Sequence, residues 1–517
     1  MPIVQKFLPD NNLANEAKIL KKRLVIKRRL LNMEWTREKR YLPYEKWDAK
    51  TLLKLQSQAA RSDYQLHYHI RPTSGLLNDP NGFSYYNGRW QVFYQAYPFG
   101  AVHGLKSWVH LTSSDLVHWE NLGEAVYADT PLDSHGAYSG SAREIGDKLF
   151  LMYTGNVRDE NWVRHSYQVG AWMDEDGKVT KLETPLINAP EHVTEHFRDP
   201  QILEHGGKYY AILGAQDKET KAGKISLYKA DAVTGPWQDL GYVDLPDMGY
   251  MVECPNLVFV DGKPVFIFCP QGLDKNVTDY QNVYPNMYWV GESFDFETGH
   301  FETKQKDPIN LDGGFDVYAT QAFNAPDGHA YAISWVGLPD MTYPSDKEGW
   351  ANCLSQVKCL SLKHGRLLQK PVKAMKSLRG SEEDFTGDLA FDAGAQSEIR
   401  LTIKKGQKGK MLLAADSEGK NGIKLRFKTG KHAHLTVDRG ECGQAVNPDY
   451  GTSRTVKLPA GEDLDLRIFM DHSLFEIFVN GGEEVITGRF FTQNGQTFVK
   501  MDSDVDYQAK TWRLKDM

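Results

Sequence analysis

Three acidic residues, Asp79, Asp199 and Glu253, stand in short motifs beside apolar or aromatic runs, and Ser139 and Tyr318 occupy comparable places. In chain order these five residues are 60, 60, 54 and 65 positions apart. Near-even spacing of this kind is typical of a repeated strand unit whose first strands converge on one point. Two carboxyl groups at such a point fit the cleavage of a glycosidic bond with retention, which needs a nucleophile and an acid about 5 to 5.5 Å apart.

Asp79 is the candidate nucleophile. It lies in the motif Asn78-Asp79-Pro80-Asn81-Gly82, which is also a good sequence for a plain tight turn, because Pro fixes φ while Asn and Gly tolerate positive φ. A rigid turn of this kind would hold a carboxylate in one orientation, as a nucleophile requires. The position of Asp79 as the first of the five spaced sites favours the catalytic interpretation.

Glu253 is the candidate acid and base, although a Glu before Cys254 and Pro255 is also compatible with a purely structural role. Its apolar neighbours, among them Val252 and Leu257, are expected to favour the protonated carboxyl that a general acid needs. Its place as the fourth of the spaced sites favours catalysis.

Asp199 stands between Arg198 and Pro200, and a residue before Pro is biased towards extended backbone geometry. One interpretation is a surface ion pair between Arg198 and Asp199. The other is that Asp199 accepts hydrogen bonds from sugar hydroxyls as positive charge develops on the ring, with Arg198 keeping the carboxylate ionised.

The elements that must position these residues are strands. Between about residues 64 and 368, an apolar run follows each of the five sites after a Gly-containing hairpin turn, at 88–94, 148–153, 208–213, 263–268 and 330–335. Trp119 and Trp237 are 118 positions apart, which is twice a period of 59. The sequence therefore predicts an all-β fold with a five-bladed β-propeller; an irregular sandwich with chance spacing is the alternative.

The predicted domains are a basic N-terminal extension (1–32), the propeller with its lead-in (33–368), a linker (369–381) and a β-sandwich (382–517). Runs such as 397–403 and 464–469 in the last part alternate at period two, which is typical of strands with one buried face. We expect the sandwich to buttress the propeller, with carbohydrate binding as the alternative. The extension is expected to be helical and without catalytic duty, and a membrane-surface helix is its alternative.

The composition excludes several classes of protein. A net charge of −7 argues against a nucleic-acid partner, and no apolar run reaches the roughly 18 residues of a membrane span. Five cysteines without a CxxC pair predict reduced thiols, so a soluble cytoplasmic protein is expected. His67 and His69 lack a third ligand at suitable spacing, so no metal is expected, and Cys254 is interpreted as a packing residue. The sequence does not predict an oligomeric state.

The motifs 78–82, 138–142, 197–200 and 253–255, in this order, resemble those of glycoside hydrolase family 32, the invertase and fructanase group. The run 471–481 is similar to one in the C-terminal sandwich of that family, so the resemblance covers residues 34 to 517. It implies that Asp79 forms a fructosyl-enzyme, that Glu253 is the acid and base, and that Asp199 stabilises the transition state. It also implies that the enzyme needs no metal or cofactor.

By the same resemblance, a further set of residues is expected to line the sugar pocket: Leu76, Leu77, Asn78, Gln95, Trp108, Tyr138, Ser139, Arg198 and Tyr318. Two positions depart from the family pattern. Leu76 stands where many members carry Trp, and Val109 stands where a glycine is often found. The shape of that wall is therefore expected to differ.

The runs 103–106 and 158–165 look like those of the bacterial sucrose-6-phosphate hydrolase branch of the family. The side chains that would surround a phosphate dianion are Lys106, Arg158, Arg164 and His165, although each is also compatible with a solvated surface cation. The resemblance thus implies hydrolysis of sucrose 6-phosphate to glucose 6-phosphate and fructose. The alternatives are an invertase or fructan hydrolase acting on unphosphorylated substrates and, from another class, a non-catalytic sugar-binding propeller.

Overall fold

The computed structural model describes residues 34–385, 390–492, 496–502 and 504–517, so the predicted extension at 1–32 lies outside the described residues. Two short helices precede the strands, α1 (Arg37–Arg40) and α2 (Ala49–Ala59). Asp48 caps α2 by accepting a hydrogen bond from the backbone of Lys50. Nearly all the remaining regular structure is strand, which confirms the all-β class.

Five antiparallel sheets follow one another along residues 75–371. The first contains β1 (Gly75–Tyr86), β2 (Arg89–Tyr97), β3 (Ser107–Ser113) and β4 (Trp119–Val126). The second contains β5 (Ala137–Ile145), β6 (Lys148–Arg158), β7 (Arg164–Met173), β8 (Val179–Lys181) and β9 (Ile187–Asn188). The third contains β10 (Val193–His205), β11 (Lys208–Asp217), β12 (Gly223–Ala230) and β13 (Gln238–Tyr242).

The fourth sheet contains β14 (Met251–Val260), β15 (Lys263–Gln271), β16 (Met287–Val290) and β19 (Ile309–Asn310), with a separate pair of β17 (Ser293–Phe294) and β18 (Phe301–Glu302). The fifth contains β20 (Val317–Asn324), β21 (Ala330–Val336), β23 (Cys353–Leu354), β24 (Lys358–Lys363) and β25 (Arg366–Pro371). Between β21 and β23, strand β22 (Trp350–Ala351) leaves this sheet and pairs in parallel with β1 of the first.

The first strands of the five sheets form a closed ring of contacts. Strand β1 lies against β5, β5 against β10, β10 against β14, β14 against β20, and β20 against β1. A narrow cavity at the centre is lined from all five strands, by residues that include Pro80, Gly140, Gln201, Asn256 and Gln321. Side chains far apart in the sequence are thereby brought to one axis.

Apolar side chains fill the space between neighbouring sheets, and β6 illustrates how its sequence achieves this. Leu149 and Leu151 pack towards the first sheet, whereas the alternate residues Phe150 and Met152 pack towards the third. All four side chains are fully buried, and burial of each is worth about 1.5–3 kcal/mol. The unbroken apolar run is explained because a strand between two sheets buries both its faces.

The segment predicted as a linker, 369–381, contains the end of β25, a 3₁₀ turn (Lys373–Leu378) and the start of the next strand. The other 3₁₀ turns are Tyr44–Lys46, Pro344–Glu348 and Pro448–Tyr450.

Two six-stranded sheets form the C-terminal part of the chain. One contains β26 (Arg379–Phe385), β37 (Tyr507–Leu514), β28 (Gln396–Ile403), β33 (Leu464–Asp471), β34 (Leu474–Val479) and β35 (Glu484–Arg489). The other contains β27 (Ala390–Asp392), β36 (Phe498–Met501), β29 (Lys408–Ala415), β30 (Ile423–Lys428), β31 (His434–Asp438) and β32 (Ser453–Lys457). One apolar core joins the two sheets, and Ile399, Leu401 and Ile403 enter it at the predicted period of two.

A buried polar cluster ties the chain before β1 to the C-terminal sheets. The ring nitrogens of His69 lie 2.8 Å from Asp471 Oδ2 and 3.1 Å from Glu476 Oε2, and all three side chains are at most 1% exposed. Burial lowers the pKa of His69, but hydrogen bonds to the two carboxylates outweigh it and raise the pKa to about 9. His69 is therefore a charged partner of two acids. This ion-pairing role explains the presence of one of the two histidines that were considered as metal ligands.

We predict that His69→Leu destabilises the fold by about 3–5 kcal/mol, because it leaves two buried carboxylates without their shared cation. Because folding raises its pKa, the stabilisation by His69 is complete below the unfolded value of 6.5 and is lost as the pH rises through about 9. Urea denaturation at pH 6 and pH 10 measures both effects. The matched control is His67→Leu, whose half-exposed ring faces Asp516, with an expected cost below about 1 kcal/mol. Equal losses for the two variants would contradict this assignment.

Candidate active site

Each of the five first strands carries a β-bulge at the same place. From Leu77 to Pro80, three steps along β1 match two along β2, so β1 contains one extra residue. The same mismatch follows Ala137, Arg198, Glu253 and Tyr318. Since a bulge bends a strand and re-aims its side chains, five such bulges at one end of the ring form a natural site.

The five spaced residues lie at these bulges but at different steps of them. Glu253 and Tyr318 come immediately before the extra residue, Asp199 is one position further on, and Asp79 and Ser139 are two positions further on. The even spacing in the sequence therefore locates the bulges, while the exact step within each bulge differs.

Backbone strain marks the bulges of the third, fourth and fifth sheets. The residue at the first bulge position has a positive φ in each of them, 65° at Asp199, 46° at Cys254 and 46° at Ala319. The expectation that Pro200 keeps Asp199 extended is thus wrong, because the bulge imposes a left-handed conformation there. Non-glycine residues in this region cost of order 1–3 kcal/mol, and such strain persists only where the surrounding structure fixes it.

Asp79 accepts hydrogen bonds from three neighbouring side chains. Its Oδ1 accepts from Asn78 Nδ2 at 3.0 Å, and its Oδ2 accepts from Ser139 Oγ at 2.5 Å and from Gln95 Nε2 at 3.3 Å. The Cys254 thiol lies 3.7 Å from the same Oδ2. Because these partners come from three different strands and surround the carboxylate, Asp79 has one fixed orientation.

Glu253 has polar partners on both of its oxygens. Arg198 donates to Oε1 from Nη2 at 2.8 Å and from Nε at 3.2 Å, and the Tyr318 hydroxyl donates to Oε2 at 2.6 Å. The prediction of apolar surroundings is therefore wrong for the carboxyl group itself. Val252 is buried in an apolar cluster, whereas the Glu253 side chain stays 18% exposed beside polar partners.

Asp199 is buried beside both other acids. Its Oδ2 accepts from the backbone N–H of Cys254 at 3.0 Å, and the Cys254 Sγ lies 3.7 Å from it, the same distance as from Asp79. Burial is the main cause that raises the pKa of Asp199, to about 7, with Glu253 and Asp79 adding to it and Arg198 opposing it. Arg198 opposes this rise only from a distance, since its guanidinium bonds Glu253 and stays 3.9 Å from Asp199.

The residues expected to line the sugar pocket fall into two groups. Asn78, Gln95, Ser139, Arg198 and Tyr318 all bond directly to Asp79 or Glu253, and the partly exposed Tyr138 adjoins Ser139. Leu76, Leu77 and Trp108 are buried in apolar clusters instead, and the Trp108 indole donates to the Tyr138 carbonyl at 3.0 Å. Through this bond Trp108 supports the backbone next to Ser139.

The four cations considered for a phosphate are placed very differently. Arg158 and Arg164 face each other across the β6–β7 hairpin, and Arg164 lies over the Tyr138 ring at 5.9 Å. The guanidinium of Arg164 makes no hydrogen bond with any residue that the structure describes, and its Nε is buried. His165 is half exposed and pairs with Asp159 at 3.1 Å, whereas Lys106 is buried beneath Asn78 and Gln95.

Tyr41 is a residue of this region that the sequence did not indicate. It follows α1, packs edge-on against Trp162 at 5.1 Å, and feels the charges of Arg158 and Arg164. Burial is the main cause that raises the pKa of its phenol to about 12. In the sequence, only the aromatic residues of the segment before β1 hint at a role for Tyr41. No motif links them to the β6–β7 hairpin.

Across the described ranges, no group of three His, Cys, Asp or Glu side chains is arranged to hold a metal ion. Within the same ranges, no helix is long and apolar enough to cross a membrane.

Comparison with known proteins places this geometry in a family. Residues 69–371 match the model of the glycosyl hydrolases family 32 N-terminal domain, and residues 365–513 match that of the family 32 C-terminal domain. A sucrose-6-phosphate hydrolase of Streptococcus mutans serotype c is 49% identical over 467 residues, which cover 90% of this chain and 96% of that protein.

Solved structures agree. A sucrose-6-phosphate hydrolase from Lactobacillus gasseri is 57% identical, with a TM-score of 0.92 over 93% of this chain and 100% of that one. A mutant Bombyx mori family 32 β-fructofuranosidase in complex with sucrose is 31% identical, with a TM-score of 0.78 over 91% of this chain and 99% of that one. The expected family is thereby confirmed: the chain is a glycoside hydrolase and belongs to glycosyl hydrolases family 32.

Proposed function

We propose that this enzyme is a retaining β-fructofuranosidase that hydrolyses sucrose 6-phosphate to glucose 6-phosphate and fructose. The observation that carries the proposal is the joined acid cluster, in which Cys254 contacts both Asp79 and Asp199 while Arg198 binds Glu253. Paired carboxyl groups are the requirement of glycoside hydrolysis with retention. The high identity to sucrose-6-phosphate hydrolases supports the phosphorylated substrate.

In the proposed first step, Asp79 attacks the anomeric carbon of the fructosyl unit. Its Oδ2 accepts from Ser139 and Gln95 and lies 3.7 Å from the Cys254 thiol, whereas, among the described residues, its Oδ1 accepts from Asn78 alone. We assign the attack to Oδ1, because fewer donors compete for its lone pairs. The bond to the glucosyl oxygen breaks as the bond to Asp79 forms, which yields a covalent fructosyl-enzyme.

Glu253 gives the leaving glucosyl oxygen its proton. Because Oε1 accepts two N–H bonds from Arg198, the proton belongs on Oε2, beside the Tyr318 hydroxyl. In the second step the ionised Glu253 takes a proton from water, and the resulting hydroxide releases fructose from Asp79. Asp199 accepts hydrogen bonds from ring hydroxyls as positive charge develops on the sugar.

The phosphate of the substrate is assigned to Arg164, with Arg158 beside it. The Nε of Arg164 is buried without a hydrogen-bond partner in the described part of the chain, which is costly, and a dianion would satisfy several donors of this guanidinium at once. The Tyr138 ring under Arg164 adjoins Ser139, so this cation borders the nucleophile's pocket. An invertase or fructan hydrolase would have no use for such a cation, and a non-catalytic sugar-binding protein would have none for the acid cluster.

We also infer the larger organisation from the same family. The five sheets are the blades of a five-bladed propeller that occupies residues 33–368, and their ring of first strands supports this count. The predicted linker at 369–381 includes the last residues of β25 and the first of β26, and the sandwich predicted at 382–517 buttresses the propeller. A cytoplasmic location is supported by the five cysteines, all of which are free thiols.

Asp79→Asn tests the nucleophile. It preserves the hydrogen-bonding shape but cannot form the ester, so kcat on sucrose 6-phosphate should fall on the order of 10⁴-fold or more. Initial-rate assays of released glucose 6-phosphate measure the loss. Asp449→Asn, at an exposed turn of the C-terminal part, is the matched control with unchanged kcat. An Asp79→Asn enzyme with normal turnover would refute the role of Asp79 as nucleophile.

Arg164→Ala tests the phosphate assignment. We expect kcat/KM for sucrose 6-phosphate to fall roughly 10- to 150-fold, because a hydrogen bond to a charged group is worth about 1.5–3 kcal/mol. Hydrolysis of plain sucrose should be spared. Arg143→Ala is the control on the same sheet, since Arg143 is partly exposed and pairs with Glu204. Equal losses on the two substrates would remove Arg164 from phosphate recognition.

A further inference from the structure

Lys106 is a buried cation directly beneath the nucleophile's neighbours. It is 4% exposed, and its Nζ donates to Asn78 Oδ1 and, at 3.1 Å, to Gln95 Oε1. Across residues 34–385, 390–492, 496–502 and 504–517, no carboxylate lies within ion-pair distance of it. This position is unsuited to a phosphate ligand, because both amide side chains stand between the ammonium and Asp79.

The two amides that Lys106 contacts are the same two that bond the nucleophile. Asn78 Nδ2 donates to Asp79 Oδ1 at 3.0 Å, and Gln95 Nε2 donates to Asp79 Oδ2 at 3.3 Å. An amide carries an acceptor oxygen on one side and a donor nitrogen on the other, and its flipped form presents the opposite pair. A flip of either side chain would point an oxygen at the carboxylate and repel it.

An ammonium group has three donors and no acceptor, so it can pair with an amide only through the amide oxygen. By holding both oxygens, Lys106 leaves both NH₂ groups facing Asp79. We propose that Lys106 is a positioning residue for the hydrolysis, which locks the Asn78 and Gln95 amides in the one orientation that serves the nucleophile. The inference rests on the proposed function, because it takes Asp79 as the nucleophile.

The hydrogen bonds run in one direction through the site. Lys106 donates to Gln95, Gln95 Nε2 donates to Ser139 Oγ at 2.5 Å, and Ser139 donates to Asp79 at 2.5 Å. In such a chain each bond polarises the next, so the cation strengthens the last donor to the carboxylate. The serine hydroxyl is oriented as a donor because its lone pair already accepts from Gln95.

The charge of Lys106 is retained at a cost. Burial lowers the pKa of Lys106 to about 8, against an opposing effect of Asp79. Among the described residues, the titratable groups that interact electrostatically with Lys106 are Asp79 and, from the preceding loop, the exposed His103. A buried cation without a carboxylate partner destabilises the fold. Its role in orienting the two amides explains why Lys106 is nevertheless buried here.

The test compares Lys106→Met with the wild-type enzyme on sucrose 6-phosphate and on sucrose. We expect kcat to fall roughly 10- to 100-fold on both substrates with little change in KM, because a slightly misplaced nucleophile costs about this much. The acidic limb of the kcat/KM profile should move to higher pH, because the variant removes a cation close to the carboxylate.

A double-mutant cycle with Gln95→Ala shows whether Lys106 acts through that amide. If it does, the double variant is little worse than Gln95→Ala alone, whereas independent roles would multiply the losses. Lys358→Met is the matched control, a second lysine that is 1% exposed and lies 3.6 Å from Glu476, in the buried cluster of His69. It is expected to lower the Tm and to leave kcat and the pH profile unchanged.

Two outcomes would overturn the inference: a loss confined to sucrose 6-phosphate, which would make Lys106 a phosphate ligand, or a lower Tm with unchanged kcat. If Lys106→Met does not fold, Lys106→Gln supplies a neutral donor, with a smaller loss of kcat in the same direction on both substrates. An inactive Asp79→Asn beside a fully active Lys106→Met would reject this inference alone. An active Asp79→Asn would reject the proposed function.

Discussion

Three carboxyl groups in one small space repel each other, and Arg198 is the cation that lets them coexist. It binds Glu253 through two N–H groups and lies 3.9 Å from Asp199. The acids in turn raise the pKa of Arg198 above its usual range, although burial opposes them. Removal of water strengthens this pairing, and it also makes any unpaired charge expensive. The pairing of the acids therefore depends on where this guanidinium lies.

The fold supplies that location through bulges that strand pairing alone would not favour. Positive φ angles at Asp199, Cys254 and Ala319 are costly, and they survive because each bulge is enclosed by paired strands and packed sheets. The same logic extends beneath the pocket. Lys106 is buried away from water, and we infer that its ammonium thereby orients the Asn78 and Gln95 amides. Stability gained between the sheets thus offsets unfavourable conformations and charges at the centre.

Much of this was visible in the sequence. The spacing of the five sites located the bulged first strands, and apolar runs such as 148–153 indicated strands buried on both faces. What the sequence did not show depends on which way side chains point after folding. From residue type alone, Lys106 was expected to be a cation available to a phosphate, but it is buried. Glu253 was expected in apolar surroundings, but its carboxyl bonds Arg198 and Tyr318. Tyr41 escaped notice because its partners are more than 90 residues away.

The central claim is that Asp79 carries the fructosyl group between the two steps. Rapid acid quenching of the wild-type enzyme during turnover of sucrose 6-phosphate, followed by peptide mass spectrometry, tests it most directly. The quench denatures the enzyme and protonates the base that activates water, so the ester present at that moment should remain on its peptide. We predict one fructosyl unit on the peptide that contains Asp79. A fructosyl unit on the peptide of Asp199, or an unmodified Asp79 in an enzyme that has released glucose 6-phosphate, would contradict the account.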